Sequence, residues 1–503
     1  MNVVLIISDT FRRDHLGCYG STKAKTPNLD KFAAQAYVFD QAYAASFPTV
    51  PNRWDILTGR NNYTYAGWQP LAPNEIVIGQ VLAQQETISM MIADTPHILQ
   101  NGFNYCRGFT AFEWIRGQEN DRWQTDPEEV TFPCDPSKLR NPEFIVTQYL
   151  RNVARRKCEE DYFVARTMLY AADWLERNCE RDFFLYVDTF DPHEPWDPPQ
   201  KYIDMYISDY DGERVFYPNY APCNYLTEDE MRYIRAAYAG ECTMVDHWVG
   251  MLLDKIDELG LRENTAVIFT TDHGFLFGEH GLIGKSIIAG EYYETVPLYE
   301  EIAHIPLIIR LPGQTEGKRI SGFVTSTDLM PTILEMAEVI ETEVIGGKST
   351  VQLLQCGFHQ TEEWILDPKT LHGRSLMPLM RGEEDAAADM AITSFSLIHH
   401  TPRLAKSTIT AGEWSLIYCG KSPDPSAEQR PPETLKSGTN PGDYQVGDSS
   451  PKLFHLPSDP EQKQNVIEDN KDIARELHAR YVDYLRRCNT PEEHLALRLE
   501  LDI

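Results

Sequence analysis

Asn2–Ile7 is an unbroken run of β-branched and aliphatic residues that stops at Ser8-Asp9-Thr10. Such a run, closed by polar residues, predicts a strand buried on both faces, as in parallel sheets. Phe183–Val187, Thr265–Thr270 and Ile305–Leu311 repeat the pattern. The first two of these run into Asp188-Thr-Phe-Asp-Pro-His193-Glu-Pro and Asp272-His273-Gly274. Helical spacing of apolar residues marks a segment from Thr26-Pro27 to about Ala36, Arg53–Leu57 after Pro51, Asp161–Arg177 and Glu228–Leu259. Strands alternating with helices predict a mainly parallel, doubly wound α/β sheet, whose ligands bind beyond the carboxyl ends of the strands. Past about residue 385 the pattern changes. Ala391–Ile398, Leu404–Ala411 and Glu413–Tyr418 are short, closely spaced strand-like runs, Ser422–Pro451 is a Pro/Gly/Ser-rich loop, and Asp472–Arg487 is a closing helix. The expected division is a catalytic domain over 1–385 and a small C-terminal α+β domain with an antiparallel sheet over 386–503.

Charge narrows the partners. Lys+Arg 46 against Asp+Glu 76 gives a net charge of -30 over 503 residues. Such a surface repels nucleic acid and anionic lipid, so neither is expected as a partner. An anionic substrate then requires a locally basic pocket. No run approaches the ~20 apolar residues of a membrane span. The N-terminal apolar run lacks a basic flank and a cleavage site, and reads as a strand rather than a signal peptide. Ten scattered cysteines with no CxxC pair read as reduced thiols in a cytoplasmic protein. The acidic surface and the segment Glu492–Ile503 are compatible with a homo-oligomer.

Two constellations carry chemistry. Asp9, Asp272 and His273 each follow a buried strand, where an unpaired carboxylate is costly. Mixed oxygen and nitrogen donors of this kind suit Mn, Zn, Ca or Mg to different degrees. Taken one at a time, each is equally a turn former or helix cap. The second is Thr49-Val-Pro-Asn-Arg53, continuing to Leu57-Thr-Gly-Arg60. A hydroxyl precedes an arginine by one helical turn at a helix start, where free N–H groups and a guanidinium can meet one anion. From spacing alone, a capping Thr and a surface Arg explain it as well.

A wider set of motifs changes that weighting. NVVLIISDTFRRDHLGCYG at 2–20, the TxPxR…LTGR segment at 49–60, DPHEP at 191–195, TTDHGFLFGEHGLIGK at 270–285 and IPLIIRLPG at 305–313 appear in that order. DLMPTILEMA at 328–337, HGRSLMPLMRG at 372–382 and LFHLPSDPEQKQN at 453–465 follow. In kind and order they resemble the motifs of the sulfatase family of the alkaline phosphatase superfamily, over nearly the whole chain. The resemblance implies an alkaline-phosphatase-like α/β/α sandwich with a small four-stranded C-terminal domain. It implies one divalent metal held by Asp9, Asp272 and His273, with the nucleophile at Thr49 completing the shell. It also implies that Arg53, His193 and Lys285 hold the anionic head group.

Three departures from the family pattern shift the expected chemistry. Sulfatases carry Cys or Ser at the position of Thr49, which maturation converts to formylglycine; no formylglycine is expected from Thr. Their Lys- and His-bearing GKWHLG-like segment corresponds to Ala93-Asp94-Thr95-Pro96-His97-Ile98, where Thr95 and His97 remain as substrate contacts and the Lys is absent. Thr10 replaces a second metal-binding Asp, which favours Mn or Zn over Ca or Mg. The resulting expectation is a metal-dependent hydrolase of phosphate diesters or phosphonate monoesters. Thr49 attacks phosphorus and His193 or His97 protonates the leaving oxygen. A second metal at Asp188 and His193 lacks a third ligand and would be repelled by Lys285. The alternatives are a sulfatase working without formylglycine and a non-catalytic anion-binding relative. A phosphoethanolamine transferase also uses Thr, but is membrane-bound and needs a spanning segment. The alcohol side falls to the loops Asn61–Asn74, Gly102–Pro142 and Tyr202–Tyr225.

Overall fold

The computed structural model describes the chain apart from residues 86, 346–347, 354–365, 384–386, 399–404, 423–429 and 441, and the side chains of 343–353. Among the strands are β1 Asn2–Ser8, β2 Tyr37–Tyr43, β3 Ser46–Phe47, β4 Ile88–Ala93, β5 Ala111–Trp114, β6 Phe183–Thr189, β7 Ala221–Pro222 and β8 Thr265–Thr270. After them come β9 Leu276–Phe277, β10 Leu282–Gly284, β11 Ile287–Ala289, β12 Tyr292–Glu294, β13 Leu307–Arg310 and β14 Lys318–Thr325. The large sheet has the order β14-β2-β13-β8-β1-β6-β4-β5. The five strands from β8 to β5 are mutually parallel, and β13 is antiparallel to both of its neighbours. The chain therefore has the expected α/β fold, a mainly parallel sheet between helical layers, with a smaller antiparallel sheet beside it.

Alternation along the central strands explains the layers. Val4 and Ile6 of β1, Leu185 and Val187 of β6, and Val267 and Phe269 of β8 face one apolar core. That core is covered by the helices Phe163–Asn178 and Glu228–Glu258. Val3, Leu5 and Ile7, with Phe184 and Tyr186, face a second core under the helices Thr49–Thr58 and Leu329–Met336. Both faces of β1 are thus dry, as its unbroken apolar run predicts. The 31-residue helix begins at a capping box, in which the Thr227 hydroxyl accepts from Glu230 N and the Glu230 carboxylate accepts from Thr227 N.

After the hairpin strands β15 Ile340–Ile345 and β16 Lys348–Leu353, the second sheet contains β17 Ala391–Phe395, β18 Lys406–Ala411, β19 Trp414–Cys419 and β20 Lys452–His455. Its order is β20-β19-β18-β17-β3, so Ser46–Phe47 joins it from the N-terminal half, in parallel with β17. The helix Lys471–Arg487 packs on it through Leu477, Tyr481 and Leu485. Leu404, expected in a strand, and residues 423–429 and 441 of the expected loop lie outside the described residues; the rest of 422–451 has neither helix nor strand. Among the described residues no helix is long and apolar enough to cross a membrane.

Candidate active site

Strands β8, β1 and β6 are adjacent and parallel, so their carboxyl ends open at one place. Asp9 follows β1, and its N–H donates to Thr189 O at the end of β6 at 2.9 Å. Asp188 lies near the end of β6, and Asp272 and His273 follow β8. One ligand atom each from Asp9, Asp272 and His273 fall within 4.8 Å of one another, and all three residues are fully buried. Thr10, at φ 62, donates its hydroxyl to Asp9 Oδ1 at 2.8 Å and its N–H to Asp272 Oδ1 at 3.0 Å. This leaves the Oδ2 atom of each carboxylate for other partners.

Arg53 takes up part of that negative charge. Its Nε and Nη2 donate to the two oxygens of Asp188 at 3.0 and 2.8 Å. Its Nη1 donates to Asp272 Oδ2 and lies 2.9 Å from Asp9 Oδ2. Asp188 also accepts from the Thr95 hydroxyl at 2.7 Å and the Tyr186 hydroxyl at 2.7 Å. Arg53 and Thr95 therefore stand behind the site, bonded to its carboxylates, and do not line the cavity described below.

The three ligand residues fit a divalent cation. Asp9 Oδ2 is buried and accepts no hydrogen bond. Burial and the Asp272 charge push the Asp9 carboxyl well above the usual range, so the pair is short of positive charge. His273 is held neutral: burial lowers it to about 3, against the pull of Asp272. Its Nδ1–H faces Gly274 O at 3.0 Å, which puts the lone pair on Nε2. That Nε2 lies 3.2 Å from Asp272 Oδ2 and 3.4 Å from Thr49 Oγ1.

Thr49 is the first residue of the helix Thr49–Thr58, all ten of whose residues are buried. The first-turn amides of Thr49 and Val50 have no intrahelical acceptor to reach. Pro51 removes a third donor at no cost. Gly59, at φ 65, ends the helix by donating to Asp55 O at 2.8 Å.

Thr49, His97, His193 and Lys285 share one cavity of about 460 Å³. Apolar and aromatic side chains, Phe47, Trp68, Ile145, Ile288, Tyr293 and Phe395, line it together with these polar groups. Lys285 Nζ donates to His193 Nε2 at 2.9 Å and lies 3.2 Å from His273 Nε2. His193 Nδ1 faces Glu194 O at 2.7 Å. Burial, reinforced by Lys285, holds His193 far below the usual imidazole range. In this arrangement His193 Nε2 faces the Lys285 ammonium.

Two wall residues, Glu119 and Arg140, escaped the sequence reading, as did the role of Glu194, which is buried behind His193. Glu119 Oε2 is 2.9 Å from His97 Nε2. Burial would raise the Glu119 carboxyl, but His97 and Arg140 outweigh it and hold it at about 2. Glu119 and Arg140 lie in irregular chain between β5 and the helix Phe163–Asn178, where no periodicity marks them. Glu194 stood in view inside the DPHEP motif, and only its role was unreadable.

The sulfatase family profile matches residues 1–339. The chain belongs to the sulfatase family. An arylsulfatase of Clostridium perfringens is 26% identical over 70% of this chain and 78% of its own length. The multifunctional alkaline phosphatase superfamily protein PehA of Trinickia caryophylli is 24% identical over 75% of this chain and 77% of its own. Among solved structures, the phosphonate monoester hydrolase of Agrobacterium radiobacter superposes with a TM-score of 0.65 at 18% identity, covering 96% of this chain and 95% of that one. A protein solved with its substrate D-glucosamine-2-N,6-O-disulfate superposes with a TM-score of 0.67 at 17% identity, covering 98% and 99%. The sulfatase fold thus serves both kinds of ester among these relatives, and the choice in this chain falls to its own residues.

Proposed function

We propose that this sulfatase-family hydrolase cleaves small anionic phosphate diesters or phosphonate monoesters, with the unmodified Thr49 hydroxyl as nucleophile. One observation carries the reading. The residue at the head of the helix, 3.4 Å from the metal-site imidazole and 1% exposed in the lining of the cavity, is a threonine. A threonine cannot become formylglycine by the route open to Cys or Ser, so its oxygen must act as an alkoxide. The fold shared with a phosphonate monoester hydrolase is in keeping with the same direction.

Asp9, Asp272 and His273 would hold one divalent ion, Mn or Zn in preference to Ca or Mg, since a neutral imidazole completes the donor set. When bound, that ion lowers the pKa of the Thr49 hydroxyl and draws charge from the head group. The chain's own residues do the rest. Arg53 keeps Asp9, Asp188 and Asp272 in place and offsets their charge. The first-turn amides of Thr49 and Val50 face the phosphoryl oxygens. Thr49 Oγ1 forms a bond to phosphorus as the bond to the leaving oxygen breaks. Lys285 stays on His193 Nε2, and an N–H released from His273 Nε2 when that nitrogen holds the ion would protonate the leaving oxygen. Water then attacks phosphorus and returns a proton to Lys285 as the bond to Thr49 breaks, which restores the Thr49 alkoxide.

The test is a side-by-side assay of Mn-supplied protein on the 4-nitrophenyl esters of sulfate, phosphate, an alkyl phosphate and phenylphosphonate. Diester or phosphonate turnover that is lost in Thr49→Ala supports the proposal. Dominant sulfate turnover replaces it with a sulfatase working without formylglycine. Absence of any turnover with metal bound favours an anion-binding role.

A further inference from the structure

We infer that Arg140 is a positioning residue that ties the two cavity histidines, His97 and His193, into one frame through the carboxylates of Glu119 and Glu194. The inference rests on reading this cavity as the active site.

The geometry is paired. Glu119 Oε2 lies 2.9 Å from His97 Nε2, and Glu119 Oε1 lies 3.2 Å from Arg140 Nη2. Glu194 Oε2 lies 3.2 Å from His193 Nδ1, and Glu194 Oε1 lies 3.0 Å from the same Arg140 Nη2. The Tyr217 hydroxyl donates to Glu119 Oε1 and the Tyr220 hydroxyl to Glu194 Oε1. The guanidinium packs on both phenol rings, with Cζ 4.4 Å from the Tyr217 centroid and 4.3 Å from that of Tyr220. One cation thus sits between two like assemblies, each a histidine, a glutamate and a tyrosine.

The assemblies come from distant parts of the chain. His97 follows β4 and Glu119 follows β5, whereas His193 and Glu194 follow β6. Nothing in strand pairing fixes the distance between two loop side chains. A partly buried guanidinium shared by both carboxylates does fix it. Two features show that the arrangement is held against cost. Glu119 is 2% exposed at φ 42, a backbone region that residues other than Gly, Asn and Asp rarely enter. Glu194 is fully buried. Both carboxylates are reached from the one Nη2, so a lysine keeps the charge but loses the planar face that stacks on the two phenol rings.

The consequence is a coupled cavity wall. Displacing either glutamate moves the guanidinium, and with it the opposite histidine. Misplacement of this order costs about tenfold to a hundredfold in kcat, with KM changing far less, because the guanidinium is engaged by Glu119, Glu194, Tyr217 and Tyr220.

The experiment uses the full chain with metal. Arg140→Lys is expected to lose about tenfold to a hundredfold in kcat. Glu119→Gln and Glu194→Gln are expected to combine non-additively in kcat, by about threefold or more. That non-additivity should vanish in the Arg140→Lys background. Additive effects, or a wild-type kcat in Arg140→Lys, overturn the inference. A readout without substrate runs beside it: the His97 ring resonances by NMR. Glu194→Gln should move them, since the path between the two runs through Arg140 and Glu119. Unmoved resonances also overturn the inference, and this measurement stands if Arg140→Lys fails to fold. If Thr49→Ala turns over like the wild type, the active-site reading fails, while the His97 resonances still decide the role of Arg140.

Discussion

Lys285 Nζ lies 2.9 Å from His193 Nε2, and the other nitrogen of that imidazole faces the Glu194 carbonyl oxygen at 2.7 Å. In the proposed reaction the histidine is therefore an acceptor at the cavity wall, and the lysine is the group that gives the proton. Lys285→Ala should lower kcat by about 10²–10⁴-fold for esters of alkyl alcohols. The loss should be small for 4-nitrophenyl esters, whose leaving group needs no proton. A series of leaving groups of rising pKa measures this as a steeper dependence in the variant. Equal slopes in the two proteins would contradict it.

Metal binding should be visible without turnover. A cation that binds only the folded chain stabilises it by about 2.7 kcal/mol at a hundredfold excess over Kd. Thermal melts with Mn, Zn and Ca should show the largest upward shift for Mn or Zn, and a chelator should reverse it. In Asp272→Asn the shift should be absent. A wild-type shift in that variant would place the ion elsewhere.

The glycine after the ligand pair is required by space. A Cβ on Gly274 would overlap the backbone carbonyl oxygen of Glu301, and Gly274 N donates to Ile302 O at 2.9 Å. Gly274→Ala must push the His273 loop away from this anchor. It should cost about 1–3 kcal/mol or more in stability and weaken metal binding, as read by denaturant melts and metal titration. A well-folded variant with unaltered metal affinity would show that the loop yields freely.

What was legible follows from repetition. Asp9, Asp272 and His273 could be read because each ends a strand whose apolar run is unbroken, and adjacent parallel strands bring such ends together. The strands at Thr265–Thr270 and Phe183–Thr189 were readable for the same reason. Four strands of the large sheet were not. Tyr37–Tyr43 and Lys318–Thr325 mix buried with half-exposed positions, and the second carries a register shift between Ile320 and Phe323. Ile88–Ala93 holds two methionines, which suit helix and strand alike, and Ala111–Trp114 is an exposed edge. The reversed direction of Leu307–Arg310 leaves no mark in its composition. Glu119 and Arg140 were illegible because loop residues acquire partners only in three dimensions.

Acid should destabilise the fold through His372. Asn61 N donates to its Nδ1 at 2.9 Å, which requires a neutral ring, and burial, aided by Arg60, lowers it from 6.5 to about 4. Between those values the unfolded chain binds more protons than the folded one. The contribution is complete above about pH 6.5 and is lost as pH falls toward 4, up to about 3 kcal/mol. His372→Asn keeps an acceptor for Asn61 without the titration. Its stability should fall less steeply across that window than the wild type's. Parallel slopes in chemical denaturation would rule out this assignment.

The central claim is that Thr49 itself carries the covalent intermediate. The most direct measurement is a rapid acid quench during turnover of a phosphonate monoester or phosphate diester, followed by peptide mass spectrometry. The account predicts unmodified threonine at position 49 in the resting protein and a phosphonyl or phosphoryl ester on that residue in the quenched sample. Continued turnover by Thr49→Ala, or an adduct on another side chain, would contradict it.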